Sequence, residues 1–541
     1  MEDTVVETAL GSIRGEICED VRGGRFYSFT GIPYGKPPVG ELRFKAPVPA
    51  EPWNGIRDGT KMGHQAIQGN VLSGEMVGSE DCLNLNVYTP HVSRDSLNCN
   101  KKPVMVFIHG GGFLSGSNGK DMYGPEIIIS GGVVLVVINY RLGIFGFLSL
   151  EDPSLGVPGN AAFKDMVLAL KWVQTNISKF CGDPTNVTIF GNSAGAAAVH
   201  FLMLSPMAKG LFHKAICQSG SALSSWAYGM NNGEIMARQM GISYSDEKQI
   251  LDSLLKASVE ELFKAQEAID KETIKANRFR FIGAVVEDSK TDGELFLTQH
   301  PVETLLSGNY NKVPFLVGYN SGDGMIFDSL VPPEENDIYW IDKEYNVPGL
   351  LYLKKGSALS KTLGDEIVRY YFGTGKISRE THLKELYNIT TDNSFLRGIL
   401  YSVQNHGGSS ATPVYMYKMS LETNLNFYKA ILSIELPGVC HADEIGYLFS
   451  TFLTETPSPG TVEDTAQRRF VRMWTNFAKF ANPTPCRDPL LENVIWTPAV
   501  CRDNIPYLDI SANLVMRRNP EPDRMKFWKK VYSNGRLVSK L

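Results

Sequence analysis

Continuous apolar runs that alternate with helix-length segments constrain the fold of this chain more than any other feature of its sequence. Residues 103–108, 133–139, 186–190, 313–317 and 413–417 read as strands, the first two buried on both faces. Helical periodicity occupies residues 160–179 and 194–205. Apolar strands separated by helices indicate a mostly parallel central sheet with helices on both faces. The predicted fold class is therefore α/β.

The 541 residues are predicted to form one catalytic domain, spanning 1–541, although length alone would suggest several. Segments of roughly 225–275 and 325–410 are rich in helical patterns and charge, and we interpret them as insertions that cap the sheet. In sheets of this kind, ligands bind outside the carboxyl ends of the strands. Candidate functional residues should therefore follow strands.

Charge and targeting signals narrow the range of partners and compartments. A net charge of −5 provides no basic field for nucleic acid, and the sequence contains neither a membrane-spanning run nor a secretory h-region. The eight scattered cysteines show no metal-type spacing and are expected to be mostly free thiols. The terminal Ser539-Lys540-Leu541 matches a peroxisomal signal, so the expected location is cytoplasmic or peroxisomal, and the chain is not expected to be secreted.

Residues 191–195, Gly-Asn-Ser-Ala-Gly, form the G-x-S-x-G pattern of a nucleophile elbow. The pattern follows a β-branched run and opens an alanine-rich helix, which is the strand–turn–helix setting that such an elbow requires. The alternative is a plain strand-to-helix turn. This context favours Ser193 as a nucleophile.

A second glycine motif, residues 109–113 with the sequence His-Gly-Gly-Gly-Phe, directly follows a predicted strand. Bare N–H groups on such a run can stabilise the oxyanion of an acyl-transfer intermediate. We assign Gly111, Gly112 and Ala194 as the donors. The alternative is a flexible glycine turn without a catalytic role. A phosphate-binding loop is disfavoured because the Lys-Ser/Thr ending is missing.

A serine nucleophile needs a histidine base, which a carboxylate orients. In α/β-hydrolases these residues follow the serine in the order acid, then histidine. His441 is preferred over His406 because a loop glycine precedes it and a helix start follows. Asp323 lies after a predicted strand and is the candidate acid, with turn capping as its alternative role.

Several stretches match a known family: residues 29–34 (Phe-Thr-Gly-Ile-Pro-Tyr), 79–88, 139–143 and 156–160, together with the motifs above. On these residues the chain resembles the type-B carboxylesterase/cholinesterase family of α/β-hydrolases over nearly its whole length. Residues 441–449 look most like those of arthropod α-esterases and juvenile-hormone esterases.

The resemblance implies a serine carboxylesterase that acts on small-molecule esters, without metal or cofactor, through a gorge formed by helical insertions. It also implies that Ser219 supports the triad acid and that Trp226 lines the acyl side of the gorge, although Trp226 could equally be core packing. Phe113 is assigned to the same gorge. The expected role is broad-substrate detoxification or lipid-ester turnover, and the oligomeric state remains open.

The chain departs from the family at three positions. Asn192 stands where the family usually has Glu, Asp323 where the acid is commonly Glu, and Cys82 lacks its usual cysteine partner upstream. Three rival functions remain: a specific juvenile-hormone-type esterase, an organophosphate-sequestering protein with slow turnover, and a non-catalytic cholinesterase-like binding protein.

Overall fold

A computed structural model describes residues 4–70, 73–93, 99–275, 280–330, 342–351, 353–375, 377–406, 409, 411–500 and 503–536. Sixteen strands lie within these ranges: β1 (Val5–Thr8), β2 (Gly11–Arg14), β3 (Glu16–Glu19), β4 (Arg25–Pro33), β5 (Ile56–Asp58), β6 (Gln68–Gly69), β7 (Met76–Val77), β8 (Asn84–Thr89), β9 (Lys102–Ile108), β10 (Val134–Ile138), β11 (Gly182–Asn192), β12 (Lys214–Gln218), β13 (Phe315–Asn320), β14 (Val414–Met419), β15 (Pro506–Ile510) and β16 (Leu514–Arg518). The α-helices are Lys120–Tyr123, Gly143–Phe147, Ala161–Asn176, Ala194–Leu204, Gly233–Gln239, Glu247–Lys256, Val259–Lys275, Pro301–Ser307, Phe327–Leu330, Ala358–Phe372, Arg379–Thr390, Arg397–Asn405, Phe427–Ile431, Val462–Phe480 and Pro522–Arg536.

An 11-stranded sheet organises the molecule, in the order β16-β15-β14-β13-β12-β11-β9-β10-β8-β4-β3. The strands from β10 to β15 pair in parallel, whereas both edges of the sheet pair antiparallel. The predicted α/β fold with a mostly parallel centre is therefore confirmed, and its edges are antiparallel additions.

The central strands are largely apolar because both faces of the sheet are covered. In β9, Val104, Val106 and Ile108 pack into one hydrophobic cluster, while Met105 and Phe107 pack into the cluster on the other face. Successive side chains of a strand point to opposite faces, so residues 104–108 are buried on both sides of the sheet. The carboxyl ends of β9, β11 and β13 meet at one edge of this sheet.

Two groups of helices lie between successive strands of the sheet, and their interpretation as insertions stays a prediction. Helices Gly233–Gln239, Glu247–Lys256 and Val259–Lys275 lie between β12 and β13. Between β13 and β14 lie Ala358–Phe372, Arg379–Thr390 and Arg397–Asn405, with a π-helix at Thr391–Leu396. Within the described ranges, no helix has the length and apolar character needed to cross a bilayer.

A disulfide joins Cys99 to Cys181, which are 82 positions apart in the chain, with Cα atoms 5.7 Å apart. Cys181 immediately precedes β11, and its carbonyl accepts a hydrogen bond from the N–H of Lys102 at 2.8 Å. We expected mostly free thiols from the sequence, and this pair is an exception to that expectation. Five other described cysteines are free: Cys18, Cys82, Cys217, Cys440 and Cys486.

Candidate active site

Ser193 lies at a strained corner between β11 and the helix Ala194–Leu204. Its φ of 58° and ψ of −122° place a non-glycine residue in the left-handed half of backbone space, which costs on the order of 1–3 kcal/mol. The neighbouring position 195 must be glycine, because a Cβ there would lie 2.0 Å from the carbonyl oxygen of Ile108 and would clash with it. The motif thus folds as the predicted strand–turn–helix corner, with Ser193 only half-buried.

The glycine turn after β9 leaves backbone donors beside this serine. Gly111 and Gly112 have φ values of 105° and 63°. Among the described residues, no protein acceptor receives a hydrogen bond from the N–H groups of Gly111, Gly112 or Ala194. The turn contacts the serine, because a Cβ on Gly110 would lie 3.0 Å from the Cβ of Ser193. Unoccupied backbone donors beside a nucleophile suit the developing charge of an oxyanion.

His441 and Asp323 are joined by a hydrogen bond across 118 residues of sequence, with Nδ1 of the imidazole 2.9 Å from Oδ1 of the carboxylate. Asp323 opens a short 3₁₀ helix just past β13, and its Oδ2 accepts the backbone N–H of Asn320 at 3.0 Å. Both side chains are buried, at 5% and 0% exposure. A carboxylate on Nδ1 favours the tautomer whose Nε2 can accept a proton.

No hydrogen bond joins Ser193 Oγ to His441 in the part of the chain that the structure describes. The structure therefore brings the histidine to the acid, and it leaves the contact between serine and histidine open. Catalytic hydrogen bonds are often long in an unliganded site and tighten only when substrate binds.

A second buried carboxylate, Glu444, lies behind the triad candidates. Its Oε1 accepts from Asn192 Nδ2 at 2.7 Å, and its Oε2 accepts from Asn320 Nδ2 at 2.5 Å. Gln218 Nε2 is a third amide donor, 3.3 Å from Oε1. Burial, and then the negative charge of Asp323, raise the pKa of the Glu444 carboxyl. Sequence reasoning assigned Glu444 no role, although it lies three positions after His441.

Aromatic side chains border the imidazole. The Phe395 ring is 4.6 Å from the His441 ring and 5.8 Å from Trp226, measured between centroids. Trp226 is half-buried, and its Nε1 donates to the carbonyl of Ser394 at 2.9 Å. The structure thus places Trp226 one ring away from the imidazole, and its assignment to the acyl side of the gorge stays a prediction. Phe395 was missed, because a lone phenylalanine in a helical insertion carries no signal of its own.

Two other assigned residues occupy different surroundings. Phe113 is fully buried, and its ring packs against Phe147 and Phe163 at 5.1 and 5.5 Å, so its side chain belongs to the core beneath the glycine turn. Ser219 is fully buried with φ of 55°, and its Oγ has no hydrogen-bond partner within the described residues. Support of Asp323 by Ser219 stays a prediction.

His406, the alternative base, belongs to a separate buried pair. Its Nε2 lies 2.8 Å from Nε2 of His200. His200 Nδ1 accepts the backbone N–H of Ala222 at 3.1 Å. Burial lowers the pKa of both imidazoles, that of His200 to about 3. The described residues contain no grouping of His, Cys, Asp and Glu that could hold a metal ion.

Comparisons with known proteins show the family of this chain. The model of the Carboxylesterase family matches residues 2–528. A juvenile hormone esterase of Tribolium castaneum is 34% identical, over 89% of this chain and 84% of its own length. Esterase B1 of Culex pipiens is 30% identical over 99% of both chains, and pyrethroid hydrolase Ces2e of Rattus norvegicus is 34% identical over 97% and 89%.

The solved structures include a similar fold. The crystal structure of juvenile hormone esterase from Manduca sexta, with OTFP covalently attached, superposes with a TM-score of 0.85 at 29% identity. The match covers 98% of this chain and 100% of the other.

Proposed function

Because the chain belongs to the carboxylesterase family and is a carboxylic ester hydrolase, we propose that Ser193, His441 and Asp323 form its catalytic triad. The observation that carries the assignment is the 2.9 Å hydrogen bond between His441 Nδ1 and Asp323 Oδ1. It lies at the same edge of the sheet as the strained serine corner.

In the proposed reaction, Ser193 Oγ attacks the ester carbonyl while His441 Nε2 takes its proton. Gly111, Gly112 and Ala194 donate their N–H groups to the oxyanion. The intermediate collapses as His441 returns the proton to the departing alcohol, which leaves an acyl-enzyme. Water then attacks the acyl group by the same route, and Asp323 stabilises the imidazolium in both halves of the reaction.

Labelling with a fluorophosphonate tests the nucleophile. The probe should modify one peptide, containing Ser193, and Ser193→Ala should lose the label together with the burst of p-nitrophenol from p-nitrophenyl butyrate. Ser253→Ala is the matched control, because within the described residues the Ser253 Oγ bonds only to the Gln249 carbonyl, on the exposed face of its helix. A burst of normal size in Ser193→Ala would overturn the assignment.

The proposed substrates are small carboxylic esters of broad structure. Relatives of similar identity are named for different substrates, a juvenile hormone esterase and a pyrethroid hydrolase among them, which favours a gorge that is not dedicated to one ester. A hormone-type esterase is the second candidate, supported by the match to the Manduca sexta enzyme. Competition between a juvenile hormone and simple alkyl esters separates them, since a dedicated enzyme would favour the hormone about 100-fold or more in kcat/KM.

The peroxisomal location also stays a proposal, since Ser539, Lys540 and Leu541 lie outside the described residues. A fluorescent protein fused to the N-terminus should accumulate in peroxisomes, and a version without the last three residues should remain diffuse. Diffuse fluorescence of both versions would favour the cytoplasm.

A further inference from the structure

A guanidinium group lies against the glycine turn that we assign to the oxyanion. A Cβ built on Gly112 would meet Nη1 of Arg280 at 3.0 Å, Nη2 at 3.6 Å and Cζ at 3.7 Å. Nη1 also donates to the Gly112 carbonyl at 3.0 Å. The face of Gly112 that a side chain would occupy is therefore covered by a positive charge.

Most of the hydrogen-bonding capacity of Arg280 is unused. A guanidinium carries five N–H donors, and within the described residues Arg280 makes a hydrogen bond only to the Gly112 carbonyl and forms no ion pair. Its side chain is half-buried, and burial lowers its pKa, yet an arginine remains charged at every physiological pH. A partly desolvated cation with open donors favours an anionic partner.

The negative charge that acts on Arg280 balances the guanidinium only in part. Asp270 is the charged group that acts electrostatically on Arg280, and its buried Oδ2 has no hydrogen-bond partner among the described residues. Burial raises the pKa of Asp270 to about 7 despite the attraction of Arg280. Near neutral pH a large fraction of Asp270 is therefore uncharged, and the positive charge of Arg280 is only partly balanced.

The segment after Arg280 is anchored next to the Trp226 region. The N–H of Ala284 donates to the Ala227 carbonyl at 3.0 Å, and the N–H of Gly229 donates back to the Ala284 carbonyl at 2.9 Å. Phe281 is fully buried. Together with the hydrogen bond to Gly112, these contacts hold Arg280 between the glycine turn and the segment that carries Trp226.

We propose that Arg280 is an anion-binding subsite beside the oxyanion turn, and that the enzyme accepts esters with a free carboxylate on the acyl chain, the monoesters of dicarboxylic acids. This inference rests on the proposed function of Ser193 and its turn. The carboxylate would accept from the open N–H groups of Arg280 while the ester carbonyl points at Gly111 and Gly112. Arg280 is thus a specificity-determining residue.

Paired substrates test this subsite. Monoethyl glutarate and ethyl pentanoate have the same acyl backbone and differ in a terminal carboxylate. Arg280→Gln keeps a donor for the Gly112 carbonyl and removes the charge. We expect it to lower the ratio of kcat/KM for the acidic over the neutral ester about 30-fold, the range of a charge-assisted hydrogen bond. Arg280→Lys should lower the ratio less than about fivefold, because the charge remains.

Two further variants complete the design. Asp270→Asn removes the competing carboxylate and should raise the same ratio about threefold. Arg238→Gln is the matched control, since this arginine pairs with Glu234 on the exposed face of its helix and a distant surface charge is screened by salt. Monoethyl succinate and monoethyl adipate then report the chain length that best spans the turn and the guanidinium.

Binding of monoethyl glutarate to the Ser193→Ala protein, measured by calorimetry, separates the subsite from turnover. Weaker binding in Ser193→Ala/Arg280→Gln supports the subsite even if the wild type hydrolyses no ester, an outcome that would overturn the proposed function alone. Two results together would overturn the inference and leave Arg280 only as a support of the turn. In Arg280→Gln, kcat/KM would fall equally for the acidic and the neutral ester, and the binding of monoethyl glutarate would be unchanged.

Discussion

Asn192 Nδ2 donates a 2.7 Å hydrogen bond to Glu444 Oε1, joining the residue before the nucleophile to a carboxylate 252 residues away. An amide in this position satisfies a buried carboxylate without a second negative charge. The usual glutamate of the family would instead face Glu444 with another carboxylate, and the two would need to share a proton. Asn192 therefore makes the region behind Ser193 less dependent on pH.

Asn192→Asp should make stability pH-dependent. Two carboxylates in contact raise the pKa of the pair above the unfolded value of about 3.9. A raised pKa stabilises the fold below the unfolded pKa, and this contribution is lost as pH rises through the folded pKa. We expect the free energy of unfolding to fall by roughly 1.4 kcal/mol per pH unit across that window, as measured by urea denaturation from pH 4.5 to 8. Asn192→Ala is the control, and parallel curves for the two variants would contradict the prediction.

Asp323→Asn should reverse the imidazole tautomer, because the amide can donate to Nδ1 of His441 where the carboxylate accepts. We expect kcat for p-nitrophenyl butyrate to fall by about 10³–10⁴ with little change in KM. Asp323→Glu restores the charge one methylene further out and should recover part of the rate. A loss below tenfold in Asp323→Asn would assign the acid elsewhere.

The His200–His406 pair should destabilise the fold in acid. Burial lowers both pKa values below the unfolded value of about 6.5, so the unfolded chain takes up protons first as pH falls. Each imidazole therefore lowers the free energy of unfolding by about 1.4 kcal/mol when the pH falls from 7.5 to 5.5. His406→Gln should remove one of these contributions. A pH dependence identical to that of the wild type would show that the pair is not neutral in the fold.

The Cys99–Cys181 disulfide joins cysteines that are 82 positions apart, and a loop of this length contributes about 4.5 kcal/mol in the chain-entropy model. Cys99→Ser should therefore lower the melting temperature of the oxidised protein, and dithiothreitol should then have no further effect. Cys486→Ser is the control, because that thiol is free and exposed. Alkylation of Cys99 under non-reducing conditions would show that the bond does not form.

Local sequence patterns were enough to predict most of the fold and to name several candidate site residues. The alternation of apolar strands and helices predicted the parallel centre, and the motif at 191–195 predicted the corner because glycine is required there by contact with Ile108. His441 and Asp323 could be named because each follows a strand or a loop glycine, the positions where chemistry collects in such sheets.

The remainder depends on contacts between distant parts of the chain. Glu444, Phe395 and Arg280 have no local pattern that separates them from other buried glutamates, phenylalanines or arginines. Their roles emerge only once β11, β13 and the insertions come together. Phe113 shows that membership of a motif does not fix the direction of a side chain, because its ring packs in the core against Phe147 and Phe163.

The separation of the site residues along the chain has a consequence for synthesis. The imidazole and its carboxylate lie 118 residues apart, and the serine corner meets Glu444 only after 252 further residues have been made. A ribosome-bound fragment that ends before β14 would display the serine without its base, so it could not hydrolyse esters or react rapidly with a fluorophosphonate. Appearance of that reactivity during translation would report the moment at which the segment that carries His441 reaches Asp323.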